Sequence, residues 1–163
     1  MANRTILALW DKGNRGKSAT LRLLLDELKN AGGTVKSRED LGYPDVRCVL
    51  RYLGKTVGLT TRGDTRGVLE EDFAFLGECD LYICATRSKD GSCDFVKEQA
   101  QNGTLIWCGK ETLTDETGTF AFPPHLYDLL NRSQAANLLH IVQELLSGMT
   151  KGGASTCASE KDC

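Results

Sequence analysis

Thr5-Ile6-Leu7-Ala8-Leu9-Trp10, followed by Asp11-Lys12-Gly13-Asn14-Arg15-Gly16-Lys17-Ser18, is the stretch on which the reading of this chain turns. The first six residues are a short, continuous apolar run ahead of a Gly-containing turn, the pattern of a strand buried on both faces. Residues 17–30 then read as a helix. Leu21, Leu24, Leu25 and Leu28 recur at helical spacing, and Asn30-Ala31-Gly32-Gly33 supplies the stop. Between strand and helix lies most of a G-x-x-x-x-G-K-[ST] pattern. Gly16, Lys17 and Ser18 match it, and Asp11 stands where the first Gly belongs. A loop of this kind turns backbone N–H groups onto phosphate oxygens and adds the positive end of the following helix. Lys17 would meet the β- and γ-phosphates, and the Ser18 hydroxyl would ligate Mg²⁺. The alternative is a Gly-rich turn that carries these three residues by chance. Such a turn has no use for a lysine in the first helical turn, where it opposes the helix dipole.

The segment resembles the phosphate loop of P-loop nucleoside triphosphatases. Within that superfamily, Lys12 to Ser18 is similar to the variant K-G-G-x-G-K-[ST] loop of partition- and septum-site-type ATPases, with Asn14 in place of the second Gly. The resemblance implies a nucleotide and Mg²⁺ held by Lys12, Gly13, Asn14, Arg15, Gly16, Lys17, Ser18 and Ala19. It also implies a homodimer across which Lys12 contacts nucleotide.

Working outward, Thr34 to Ser37 reads as a short strand. Val46–Leu53 and Thr56–Thr60 form a hairpin around Gly54-Lys55. Residues 67–77 read as a helix burying Val68, Leu69, Phe73 and Leu76. Leu81–Ala85 is a core strand, 92–101 a short helix, and Thr104–Cys108 a further strand. Residues 109–130 read mostly as loop, with one or two helical turns from His125 to Leu130. A last helix over 133–147 buries Ala136, Leu139, Ile141, Val142 and Leu146. The alternation argues an α/β fold with a mostly parallel sheet flanked by helices and one hairpin. The resemblance implies a single three-layer P-loop NTPase-like domain over 1–147. Residues 148–163 are small and polar, which predicts a disordered tail.

Composition bounds the function. The 163 residues suit one domain, with 40% hydrophobic and 26% charged residues. A net charge of −2 does not indicate a nucleic-acid partner. No run approaches the ~20 apolar residues of a membrane helix, and the apolar stretch near Met1 is too short for a signal peptide. A cytoplasmic protein with no membrane partner is expected. The seven cysteines include no Cys-x-x-Cys pair, which disfavours a disulfide framework or a structural zinc. Cys84 and Cys108 lie in strand-like runs and read as small hydrophobes.

A phosphoryl-transfer site needs a carboxylate near Mg²⁺ or the attacking water. Ligands of an α/β sheet bind beyond the carboxyl ends of its strands. Asp64 lies just past such an end. Asp64-Thr65-Arg66-Gly67 resembles the D-x-x-G switch segment of GTPases and their relatives, which implies a metal-holding Asp64. The other reading of Asp64 is a helix N-cap. Asp80 opens the strand at 81 and sits at the far edge. Asp11 directly follows the first strand and is suited to bonding backbone or water. Arg62 and Arg66 bracket Asp64 and are the first candidates for neutralising transition-state charge. Arg15, Arg87, Lys89 and Lys110 add basic groups at the same edge.

Guanine-specific relatives carry [NT]-K-x-D after a late strand. Here that place reads Cys108-Gly109-Lys110-Glu111-Thr112, which favours ATP over GTP. The loop at Phe120, Phe122 and Pro123 either stacks on a base or covers a core edge. His125 and His140 are too isolated for a His-based scheme. The expected function is Mg²⁺-dependent nucleotide binding and hydrolysis, with the 61–67 segment as a switch read by a protein partner. The alternatives are a small-molecule or nucleotide kinase of the same superfamily, and a nucleotide-binding module without turnover.

Overall fold

The structure is a computed structural model, and it describes residues 3–11, 16–118 and 122–152. Lys12, Gly13, Asn14, Arg15 and Phe120 lie outside the described residues. In chain order the elements are β1 (Thr5–Asp11), α1 (Lys17–Asn30), β2 (Thr34–Asp40), β3 (Val46–Tyr52), β4 (Lys55–Thr60), α2 (Arg66–Leu76), β5 (Leu81–Arg87), α3 (Gly91–Gln99), β6 (Thr104–Gly109) and α4 (Pro124–Gly152). The strands form one six-stranded sheet in the order β2-β3-β4-β5-β1-β6. Pairs β4–β5, β5–β1 and β1–β6 are parallel, and β2–β3 and β3–β4 are antiparallel. Only β3 therefore runs against the rest, so its start shares an edge with the ends of the other strands.

Burial follows the two-residue period of the strands. Leu7, Leu9, Leu81, Ile83, Leu50 and Leu59 point to one face, where they meet Leu21, Leu24, Leu25 and Leu28 of α1 and Ala135, Leu138, Val142 and Leu146 of α4. Ile6, Ala8, Tyr82 and Cys84 point to the other, against Leu69, Phe73 and Leu76 of α2 and Phe95 and Val96 of α3. Phe73 stacks on Tyr82 at 4.9 Å and meets Phe95 edge-on at 5.2 Å. Both faces of β1 and β5 are thus covered, which is why those runs are continuously apolar. Leu21, Leu24, Leu25 and Leu28 are fully buried, so truncating any one to Ala would cost about 2–5 kcal/mol.

The C-terminal third departs from expectation. Residues 124–152 are one helix, where the sequence suggested loop to 130, helix over 133–147 and a tail from 148. Pro124 is compatible with a helix start because its missing N–H is one that a first turn leaves unbonded anyway. Asn131-Arg132-Ser133 does not interrupt the helix: Thr20 Oγ1 of α1 donates to the buried Asn131 side chain at 3.1 Å. The buried stripe of α4 is Ala135, Leu138, Leu139, Val142 and Leu146, while Ile141 is exposed and Ala136 half-buried. In α2 the buried partner of Leu69, Phe73 and Leu76 is Asp72, and Val68 is half-buried. The hairpin turn is Leu53-Gly54, both at positive φ (52° and 76°), since Tyr52 pairs with Lys55. β2 extends to Asp40 along the exposed edge. Among the described residues, no helix is long and apolar enough to cross a membrane.

Candidate functional site

Gly16 caps α1 in the left-handed region at φ 89°, where side chains are strained. A Cβ there would lie 3.4 Å from the Asn131 side chain and 3.6 Å from Lys110 Cε, so α4 and the segment after β6 both pack against Gly16. Lys17 and Ser18 open α1, with Ala19 half-buried behind them. Lys17 is buried. Desolvation lowers its pKa, Asp11 and Asp64 pull it back up, and Arg87 lowers it again. Asp11, Asp64 and Arg87 therefore all act on Lys17, although they come from different strand ends.

The Ser18 hydroxyl donates to the Thr61 carbonyl at 3.0 Å. Thr61 Oγ1 accepts from the Val46 N–H at 3.0 Å and donates to Asp45 Oδ1 at 3.0 Å. The next turn passes directly over β5: a Cβ on Gly63 would lie 1.7 Å from the Ala85 carbonyl oxygen. Only glycine fits there. Thr65 then caps α2, its hydroxyl accepting from the Val68 N–H at 3.2 Å. The N-cap reading of Asp64 is thereby corrected, because Thr65 fills that role and leaves the Asp64 carboxylate exposed. Lys17, Ser18, Asp45, Thr61, Arg62 and Asp64 are among the residues that line a cavity of about 80 Å³.

Asp45 is a site residue that the sequence reading missed. Asp45 precedes β3, and in a parallel sheet the residue before a strand lies at the edge away from the ligand. Because β3 is antiparallel, its start lies at the edge where β4 ends, with the Thr61 N–H donating to the Val46 carbonyl at 3.1 Å. The apolar run beginning at Val46 was the only signal available.

The two arginines expected to face phosphate are both held by carboxylates. Asp72 is fully buried and accepts from Thr60 Oγ1 at 2.6 Å, Arg47 Nη1 at 3.0 Å and Arg62 Nε at 3.1 Å, with Arg62 Nη2 closing a second contact. Arg62 also pairs with Glu71 at 2.9 Å. These contacts push the Arg62 pKa further up and fix the loop to α2. Arg66 pairs with Glu70 at 3.0 Å and Glu98 at 2.6 Å on the exposed α2–α3 surface. Neither is a loose cation beside Lys17.

Arg87 and Lys110 are closer to what the site needs. Arg87 is the register partner of Asp11, and its charge acts on Lys17. It makes no ion pair among the described residues. Lys110 follows β6, is buried beside Gly16, and has its pKa lowered by desolvation, with Glu111 and Asp11 opposing. Its ammonium donates to the Glu111 carbonyl. Lys89 is exposed in the turn after β5.

The remaining candidates fall away from the site. Asp80 binds the Thr56 N–H at 2.8 Å at the opposite edge. Cys84 is buried and burial pushes its thiol up to about 12, so it is inert at neutral pH. Cys108 is half-buried and its pKa is also raised by burial. His125 and His140 are exposed. Phe122 packs edge-on against Tyr127 at 6.1 Å, beside the start of α4.

No cluster of three His, Cys, Asp or Glu residues capable of holding a metal occurs among the described residues. Ser18 spends its proton on Thr61, so its oxygen lone pairs remain for a cation. The cavity of about 80 Å³ has room for an ion with two or three waters. Comparison with protein-family models, with curated proteins and with solved structures finds no match for this chain.

Proposed function

We propose that this protein binds a nucleoside triphosphate with Mg²⁺ and hydrolyses it, as a small P-loop NTPase-like domain with helix layers on both faces of its sheet. One observation carries the reading: Lys17, Ser18 and Asp64 line one cavity at the carboxyl edge, although Asp64 is far from the other two in sequence. In this reading the 12–18 segment cradles the phosphates, and Lys17 neutralises the β- and γ-oxygens. Ser18 and Asp64 hold Mg²⁺, with Asp45 steadying the loop through Thr61. The metal would polarise the terminal phosphate. Arg87 and Lys110 are the cations best situated to offset developing charge, and Arg62 is a positioning residue. Closure of the 61–64 segment on γ-phosphate would make it the part read by a protein partner.

Calorimetry of ATP and GTP with Mg²⁺, paired with phosphate release, tests this on the wild type and Lys17→Ala. The expected result is binding with slow release, ATP at least as tight as GTP, and both signals lost in Lys17→Ala. Absence of binding by either nucleotide overturns the reading. A nucleotide-binding module without turnover is the second reading. It is favoured by the engagement of both Arg62 and Arg66 with carboxylates, which removes two cations from the transition state. Binding without phosphate release would select it.

A further inference from the structure

The chain has two tryptophans, and they share one cleft. Trp10 lies on β1 and Trp107 on β6, whose register partner is Ala8. Ile6 and Ala8 belong to the α2–α3 face, so the alternation of the strands puts both indoles on that face at its β6 margin. Ser88, Cys93 and Lys97 complete a cavity of about 360 Å³, within the range that takes a small planar ligand. The indoles are 36% and 39% exposed. Two large aromatic surfaces left wet in one concavity are unfavourable unless something covers them.

The cleft is linked to the start of α1 through described residues. Trp10 immediately precedes Asp11, whose charge acts on Lys17. The Trp10 carbonyl accepts from the Lys110 N–H at 2.8 Å, tying the cleft to the lysine that flanks Gly16. Gly109 neighbours the Trp10 indole: a Cβ there would meet its ring atoms at 3.6 Å, in ordinary van der Waals contact.

We propose that the cleft between Trp10 and Trp107 receives the purine base of a nucleotide whose phosphates meet Lys17 and Ser18. The inference rests on the nucleotide reading above and adds how the base is recognised. Stacking on indole does not tell adenine from guanine, and a purine covers more of two indoles than a pyrimidine does. Lys97 and Ser88 offer donors to ring nitrogens and exocyclic oxygen, and among the described residues no carboxylate lines the cleft to pair with the N1 and N2 protons of guanine. The site therefore takes purine nucleotides as a class and discriminates adenine from guanine weakly.

Both tryptophans report on the cleft, so intrinsic fluorescence reads the base directly while calorimetry reads the phosphates. Mg·ATP and Mg·tripolyphosphate are titrated into the wild type, Trp107→Leu and Trp107→Phe. The expected result is quenching by ATP and GTP alike and none by tripolyphosphate. Trp107→Leu should weaken ATP about tenfold or more, leave tripolyphosphate affinity unchanged, and be largely rescued in Trp107→Phe. Equal ATP affinity in Trp107→Leu and the wild type, or no ATP-specific quenching, overturns the proposal. Millimolar adenosine separates the two readings if neither phosphate ligand binds. Quenching by adenosine keeps the cleft and sinks the phosphate site, and no quenching sinks both.

Discussion

Arg62 and Arg87 both follow a parallel core strand at the same edge of the sheet, yet they live in opposite surroundings. Arg62 is locked to the buried Asp72 and to Glu71, and with Thr60 and Arg47 it forms a polar clamp joining β3, the end of β4 and α2. Arg87 makes no ion pair among the described residues and acts on Lys17. The first side of the site is built for fixed geometry. The second, with Lys110, carries positive charge that no carboxylate pairs among the described residues. Proximity of an arginine to an acidic loop in sequence says little about its role. What decides is whether a carboxylate from another element claims it first.

The clamp gives the largest expected effect. Asp72→Ala removes the buried acceptor that Thr60, Arg47 and Arg62 share, leaving the two arginines only the exposed Glu39 and Glu71, and should destabilise the fold by about 3 kcal/mol, read by denaturant unfolding. A loss below ~1 kcal/mol would mean that the clamp is ornamental and the contrast with Arg87 is false. Gly63→Ala comes next. Its Cβ would overlap the Ala85 carbonyl, so the 61–64 loop must lift. A cost of about 1–3 kcal/mol is expected, together with a weaker Mg²⁺ dependence of nucleotide binding.

Arg87→Ala sharpens the other side. It should weaken nucleotide binding about tenfold or more with little change in melting temperature, whereas Arg62→Ala should do the reverse. Comparable losses of affinity in both variants would erase the distinction. The pH profile offers a subtler check on Lys17. Burial lowers its pKa, so the ammonium loses its proton below the ordinary lysine value of 10.5. Phosphate binding requires the ammonium, so affinity should fall as pH rises, beginning below that value, and the fall should be shallower in Lys17→Arg. A flat profile would take Lys17 out of the binding site. Arg66→Ala should change least. Its partners Glu70 and Glu98 are solvent-exposed on the α2–α3 surface, and nucleotide affinity should stay at the wild-type level.

Much of this fold was legible residue by residue. The bounds of α1 coincide with the expected 17–30, because Gly16 and the Ala31-Gly32-Gly33 stop act locally and the four leucines give one unambiguous face. Strands β1 and β5 were legible because strands buried on both faces read as unbroken apolar runs, and β6 because its run is apolar although it lies half-exposed at the sheet edge. The 124–152 helix was legible over 133–147 but not as one continuous element, since Pro124 and the polar Asn131-Arg132-Ser133 resemble a break until Asn131 meets Thr20 of α1. A polar residue's burial depends on a partner more than a hundred positions away, which no local window contains.

The site divides the same way. The sequence alone determined the phosphate-loop pattern ending in Gly16-Lys17-Ser18, and the strand-end placement of Asp64. Both depend only on neighbours along the chain. Tertiary structure decided the rest. The antiparallel β3 carried Asp45 to the carboxyl edge, the buried Asp72 claimed Arg62, and the β1–β6 pairing put Trp10 and Trp107 into one cleft. Each is a contact between elements, set by strand order and direction, and charge or exposure follows from those contacts rather than from residue type.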